Sequence, residues 1–159
     1  MKEIHVRDDK NRLRISASIK KHLPQEQKPL MFFLGDHITI CGETRFEKMV
    51  EELAGEIGSE EVARTVLSAE SKEFRSDNQD RTVIPQEYLT GELVEQEVYI
   101  ITVKGKTKED NYIEIFPKTV YDNLINDVIK DTNFLKYFGL KGKLKELKGE
   151  GNEEGRRKD

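Results

Sequence analysis

Asp8-Asp9-Lys10-Asn11-Arg12-Leu13-Arg14-Ile15 and Asp77-Asn78-Gln79-Asp80-Arg81-Thr82-Val83-Ile84 carry one pattern, Asp-x-x-x-Arg-x-x-Ile, twice at a constant offset of 69 residues. Working outward, each copy is followed by a short polar stretch, an apolar strand-like run, a second strand and an amphipathic helix. In the first copy the runs are Leu30-Met31-Phe32-Phe33-Leu34 and, after a turn at Gly35-Asp36, Ile38-Thr39-Ile40-Cys41. In the second they are Val98 to Val103 and, beyond a longer turn around Gly105, Tyr112 to Phe116. Both pairs predict β-hairpins, because short β-branched and aromatic runs are bounded by turn residues.

The helices carry their own boundary signals. Thr44-x-x-Glu47 reads as a capping box, in which the threonine oxygen accepts from an amide one turn ahead and the glutamate reaches back. Phe46, Met49, Val50 and Leu53 then mark one buried stripe, with Gly55 and Gly58 as stops. The second copy repeats the stripe after Pro117, with Tyr121, Leu124, Ile125, Val128 and Ile129, and ends near Lys130. Between the copies, Ser59 ahead of Glu60 and Glu61 predicts the start of a connecting helix buried through Val62, Val66 and Leu67. The expected organisation is a first repeat over 1–55, a connecting helix over 56–70, a second repeat over 71–140 and a tail over 141–159. The tail has almost no apolar content after Leu147 and is expected to be disordered.

A chain of 159 residues, 35% hydrophobic and 36% charged, can build a sizeable core. Its longest apolar run, Leu30–Leu34, is far short of a membrane span, and the N-terminus does not read as a signal peptide, so a soluble cytoplasmic protein is expected. One cysteine, Cys41, excludes an intrachain disulfide, and three scattered histidines (His5, His22, His37) offer no zinc spacing. Neither a metal nor a cofactor is expected. Gly105-Lys106-Thr107 lacks the glycine of a phosphate-binding loop, since Ile100 stands in its place, and the glycines from 149 to 155 miss the dinucleotide spacing. Cys41 in an apolar strand reads as a packing residue and the acidic pairs as solvated helix faces. No enzyme signature or small-molecule substrate site is expected.

Charge is unevenly spread. The net charge is −4, yet residues 1–30 hold eight Lys/Arg against four Asp/Glu, a basic island of +4, whereas residues 31–80 hold five against twelve, or −7. A compact basic loop on an acidic body presents a local positive field. A carboxylate four residues before an arginine across a tight loop can hold loop amides and aim the guanidinium at a phosphate or a guanine. Taken singly, such a pair closes a turn as readily as it builds a site, and its recurrence favours a site.

At these residues the chain resembles the MraZ family of bacterial regulators, within the swapped-hairpin AbrB-like group, over residues 4–130. The resemblance rests on Asp8 to Leu13, on Glu61-Val62-Ala63-Arg64 through Ala69-Glu70, on Asp77 to Pro85 and on Tyr112 to Phe116. It implies a mixed α/β fold of duplicated AbrB-like swapped-hairpin β-barrel units with flanking helices. It also implies a sequence-specific transcriptional regulator, associated with the nucleoid and assembled as a homo-oligomeric ring, that binds repeated promoter boxes on double-stranded DNA. By the resemblance Asp8 and Arg12, and Asp77 and Arg81, contact DNA. The charge map adds Lys10 and Arg14 on phosphates. The family has glycine before each arginine, where this chain has Asn11 and Asp80. Asparagine tolerates left-handed backbone, but Asp80 puts a carboxylate beside Arg81 and is expected to repel phosphate, so Arg12 is expected to outweigh Arg81. Proline after the first Ile15 is replaced by Ser16, while Pro85 is present. The rival readings are an AbrB-like antitoxin that binds DNA and a toxin, and a ring-forming interaction protein without DNA binding.

Overall fold

The computed structural model describes residues 1–89 and 96–130. The chain divides into two compact units, 1–118 and 119–159; the tail over 141–159 lies outside the described residues. In the first unit the chain runs through β1 (Lys2–Val6), β2 (Arg12–Arg14), a single helical turn α1 (Ala17–Lys20), β3 (Leu30–Phe33), β4 (Ile38–Cys41), α2 (Glu43–Ile57) and α3 (Glu60–Glu70). It continues through β5 (Ser71–Glu73), β6 (Arg81–Val83), a 3-10 turn (Gln86–Tyr88), β7 (Glu97–Val103) and β8 (Tyr112–Pro117). The helix α4 (Lys118–Lys130) follows and carries Tyr121, Leu124 and Ile125 where the stripe places them. No helix among the described residues is long and apolar enough to cross a membrane.

The two hairpins form as expected and join through β4 and β8 into an antiparallel six-stranded sheet of order β1-β7-β8-β4-β3-β5. Each opening strand pairs with the hairpin of the other half: Lys2–Val6 of β1 lie opposite Ile101–Glu97 of β7, and Ser71–Glu73 of β5 opposite Phe32–Leu30 of β3. β2 and β6 pair only with each other, as a separate two-stranded ribbon. The expected β-barrels are therefore not closed among the described residues. Closure needs the edge strands β1 and β5 to be joined, and they pair neither with each other nor with the ribbon, whose strands pair only with one another.

The sheet is covered on both faces, which explains why all four residues of β4 are buried. Ile38 and Ile40 join Leu13, Ile15, Ile19, Ile84, Tyr88, Ile100, Ile113 and Ile115 in a core that includes residues of the ribbon, α1 and the 3-10 turn. Phe32 and Cys41 pack with Val50, Ala63 and Leu67 of the α2–α3 pair, alongside Phe46, Met49 and Leu53. Connecting helix α3 starts where the sequence places it, with Ser59 Oγ accepting from the Val62 amide at 3.2 Å. Its buried face differs from the expected one: Ala63 and Leu67 are buried, while Val62 and Val66 are 52% and 47% exposed. Alanine leaves room for the close approach of α2, which turns the stripe by one residue.

The capping box is also replaced. α2 begins at Glu43 after Gly42, one residue before the expected cap, and runs through Gly55 to a left-handed Gly58 (φ +81°). Its cap comes from the preceding loop: Gln27 Oε1 accepts from the Thr44 amide at 3.0 Å and Gln27 Nε2 donates to Thr44 Oγ1 at 2.9 Å. Glu47 instead accepts two bonds of 2.7 Å from Arg64 of α3. A Cβ at residue 42 would collide with the Gln27 amide oxygen and meet Pro24 Cγ at 2.9 Å, so glycine there makes room for the cap. Gln27→Ala and Gly42→Ala are each expected to cost about 1 kcal/mol, as loss of a cap does. The double variant should cost little more than either single one when followed by urea unfolding; additive losses would show that the two residues act separately.

Candidate nucleic-acid interface

The two Asp-x-x-x-Arg segments fold into the same turn. In the first, Asp8 Oδ1 accepts from the Lys10 and Arg12 amides at 2.9 and 2.8 Å, and Asp8 Oδ2 accepts from Arg12 Nε at 2.7 Å. In the second, Asp77 Oδ1 accepts from the Gln79 and Arg81 amides at 2.8 and 2.9 Å, and Oδ2 accepts from Arg81 Nε at 2.9 Å. Backbone bonds repeat as well: Asp8 and Asp77 amides donate to the Arg12 and Arg81 carbonyls, and Asn11 and Asp80 amides donate back to the aspartate carbonyls. A turn this tight needs one residue in the left-handed region, and Asn11 (φ +60°) and Asp80 (φ +62°) occupy it. These are the two positions where the resembled family has glycine, and Asn and Asp are the side chains that best tolerate that backbone.

The turns are locked together by the ribbon. Arg12, Leu13 and Arg14 lie opposite Val83, Thr82 and Arg81. The ladder ends in two matched bonds, Ile15 amide to the Asp80 carbonyl (2.9 Å) and Ile84 amide to the Asn11 carbonyl (2.8 Å). Alternation along the strands buries Leu13 and Thr82 and leaves Arg12, Arg14, Arg81 and Val83 on the outward face. Ile15 and Ile84, the third members of the repeated pattern, are buried and anchor the ribbon in the core. After them the chain turns in both copies: Ser16 caps α1 through the Ile19 amide, and Pro85 leads into the 3-10 turn.

The outcome is a surface depression of about 480 Å3 lined by Val6, Asp8, Arg12, Arg14, Asn78, Gln79, Asp80 and Arg81. Arg14 and Arg81 sit directly opposite each other, a like-charge pairing that disfavours a sheet and that Asp77 answers on the Arg81 side. Arg12 and Arg81 spend Nε on their aspartates. Their terminal amino groups make no hydrogen bond among the described residues, and such forks suit a phosphate or a base edge. Of the six candidate residues, Asp8, Arg12, Arg14 and Arg81 line the depression. Asp77 braces its wall from behind, and Lys10 lies at the turn outside it.

Sequence reasoning missed the residues that hold the left-handed positions. Asn11 Oδ1 accepts from Arg7 Nη1, and Asn11 Nδ2 donates to Gln86 Oε1 at 3.2 Å. Asp80 Oδ1 accepts from Lys20 Nζ at 2.6 Å, and Lys20 also donates to Ser76 Oγ at 3.0 Å. Gln86 and Lys20 each come from the opposite half of the chain to the residue they hold; the basic island over 1–30 carried a sign of Lys20, and nothing in the sequence marked Gln86. Cys41, set aside from the sequence, is buried, and burial pushes its thiol up to about 12. His37 bonds to Asp36 at 2.7 Å and stacks on Phe116 with ring centres 4.3 Å apart.

Compared with protein-family models and with curated proteins, the chain matches none.

Both turn aspartates are held below the ordinary value of 3.8, chiefly by the backbone amides of Arg12 and Arg81 respectively, with help from the guanidinium groups and the amides of Lys10 and Gln79. A carboxyl depressed in the folded state stabilises the turn above its unfolded pKa and loses that contribution as pH falls through the folded one. The Arg12 and Arg81 amide resonances, followed by NMR from pH 6 downward, should therefore shift with midpoints under 3.8. Midpoints at or above 3.8 would contradict the turn geometry. Asp8→Asn should abolish the transition at Arg12 alone.

Proposed function

We propose that this chain is a sequence-specific, DNA-binding transcriptional regulator of the MraZ and AbrB-like kind, whose β2–β6 ribbon presents Arg12, Arg14 and Arg81 to duplex DNA. The observation that carries the reading is the pair of identically bonded Asp-Arg turns set across one ribbon and opening into one depression. Two preorganised forks at fixed separation can meet a duplex without first losing side-chain freedom. The exchange of opening strands between halves supports a duplicated swapped-hairpin unit. A β-ribbon is also an element narrow enough to enter a major groove.

In this reading Asp8 and Asp77 aim the guanidinium groups, Arg12 and Arg81 contact bases or phosphates, and Arg14 and Lys10 contact phosphates. Three or four cations on an acidic chain bind weakly alone. A homo-oligomer, in the ring the resemblance implies, would multiply them on repeated promoter boxes through high local concentration. Such a regulator works in the bacterial cytoplasm on the nucleoid and requires no cofactor or catalysis.

Fluorescence anisotropy on duplex DNA from upstream of the protein's own gene, beside a scrambled duplex at two salt concentrations, tests this. Wild type should prefer the native duplex and weaken steeply with salt. Arg12→Ala should lose about tenfold or more, the worth of one good fork contact. Arg14→Ala should lower affinity for both duplexes alike and reduce the salt slope by about one unit. Equal binding to both duplexes without a salt slope would overturn the proposal.

A further inference from the structure

We propose that Lys20 is a positioning residue of the DNA interface: it holds and neutralises the carboxylate of Asp80, which makes the second turn competent to face phosphate. The inference rests on the DNA-binding reading above and concerns the same depression.

The need for such a residue follows from charge. The second turn holds Asp77, Asp80 and Arg81, two carboxylates against one guanidinium, for a local charge of −1. Asp77 is committed to its own turn. Asp80 lines the depression next to Arg81 and cannot be replaced freely, because its backbone is left-handed. Left uncompensated, its carboxylate would face the anion that Arg81 is meant to bind. Lys20, the last residue of α1, places Nζ 2.6 Å from Asp80 Oδ1 and brings the group to neutrality. A second contact, Lys20 Nζ to Ser76 Oγ at 3.0 Å, fixes the ammonium between Asp80 within the turn and Ser76 just before it.

Stability alone explains little of this arrangement. The two side chains are 25% and 32% exposed, and pairs in such positions stabilise a fold by about 1 kcal/mol or less. The first turn achieves the same end without a net charge, since Asn11 is neutral and is held by Arg7 and Gln86. Both left-handed residues are therefore restrained by a side chain from the opposite half, but only Asp80 needs a cation to do it.

The test is a four-way cycle of wild type, Lys20→Met, Asp80→Asn and the double variant. Duplex binding is read by anisotropy at two salt concentrations, with Arg12→Ala as reference and thermal unfolding recorded for each protein. Lys20→Met should weaken binding about twofold to fivefold, the effect of one partly exposed charge. Asp80→Asn, which keeps the left-handed turn and frees the ammonium, should tighten binding and steepen the salt dependence. The double variant should bind at least as well as wild type. If the double variant binds as poorly as Lys20→Met, Lys20 contacts DNA itself and the inference falls. It also falls if Lys20→Met binds like wild type, or if Asp80→Asn leaves affinity and salt slope unchanged; the last comparison stands even if Lys20→Met does not fold. Loss of binding by Arg12→Ala in those same cases would leave the DNA-binding reading intact, whereas absence of wild-type binding would remove both.

Discussion

The arrangement of this protein depends on a carboxylate that accepts two backbone amides and one guanidinium, made once at Asp8 and again at Asp77. Charge-assisted bonds to amides close a five-residue turn that would otherwise cost conformational entropy with little return. Closing the turn places Asn11 and Asp80 in left-handed backbone and brings their carbonyls onto the ribbon ladder, where Ile84 and Ile15 donate to them. Those isoleucines are also core residues, so the geometry of an exposed arginine is tied directly to the packing of the interior. One interaction therefore shapes the turn, joins the halves and aims the side chains that face solvent.

Parts of this architecture were legible in the sequence because they are local. Alternating and apolar runs marked β3, β4, β7 and β8, and a 3.6-residue stripe marked α2 and α4. Ser59 capped its helix as its chemistry requires. The ribbon strands were not legible, since three residues with one buried side chain apiece leave no periodic signal, and their partners lie in the opposite half. Where a local rule failed, a distant group had displaced it. Gln27 took the capping role that Thr44 and Glu47 would have filled, and Arg64 claimed Glu47. Val62 and Val66 turned outward because Ala63 permitted a closer approach of the two helices.

The candidate site divides along the same line. Asp-x-x-x-Arg spacing announced both turns, and their repetition at one offset predicted equivalent surroundings. Arg12 and Arg14 of the first half and Arg81 of the second share one depression only because β2 pairs with β6, which spacing cannot show. Asp80 illustrates the limit most clearly. Read alone it is a defect beside Arg81, and its partner Lys20 is remote in sequence and reaches it through the end of α1.

The reciprocal pairing of opening strands also governs how the chain can come into being. β1 is synthesised well before its hydrogen-bonding partner β7, with Lys2 opposite Ile101. The first hairpin meanwhile lacks β5 along one side and β8 along the other. Contacts of such long sequence separation slow folding, because chain closure must precede any stabilising return. A nascent first half therefore leaves the ribosome with unpaired strand edges, and neither half holds a complete sheet by itself. The two halves depend on each other as subunits do, and a backbone cut at Gly58, between α2 and α3, would turn one chain into an obligate pair.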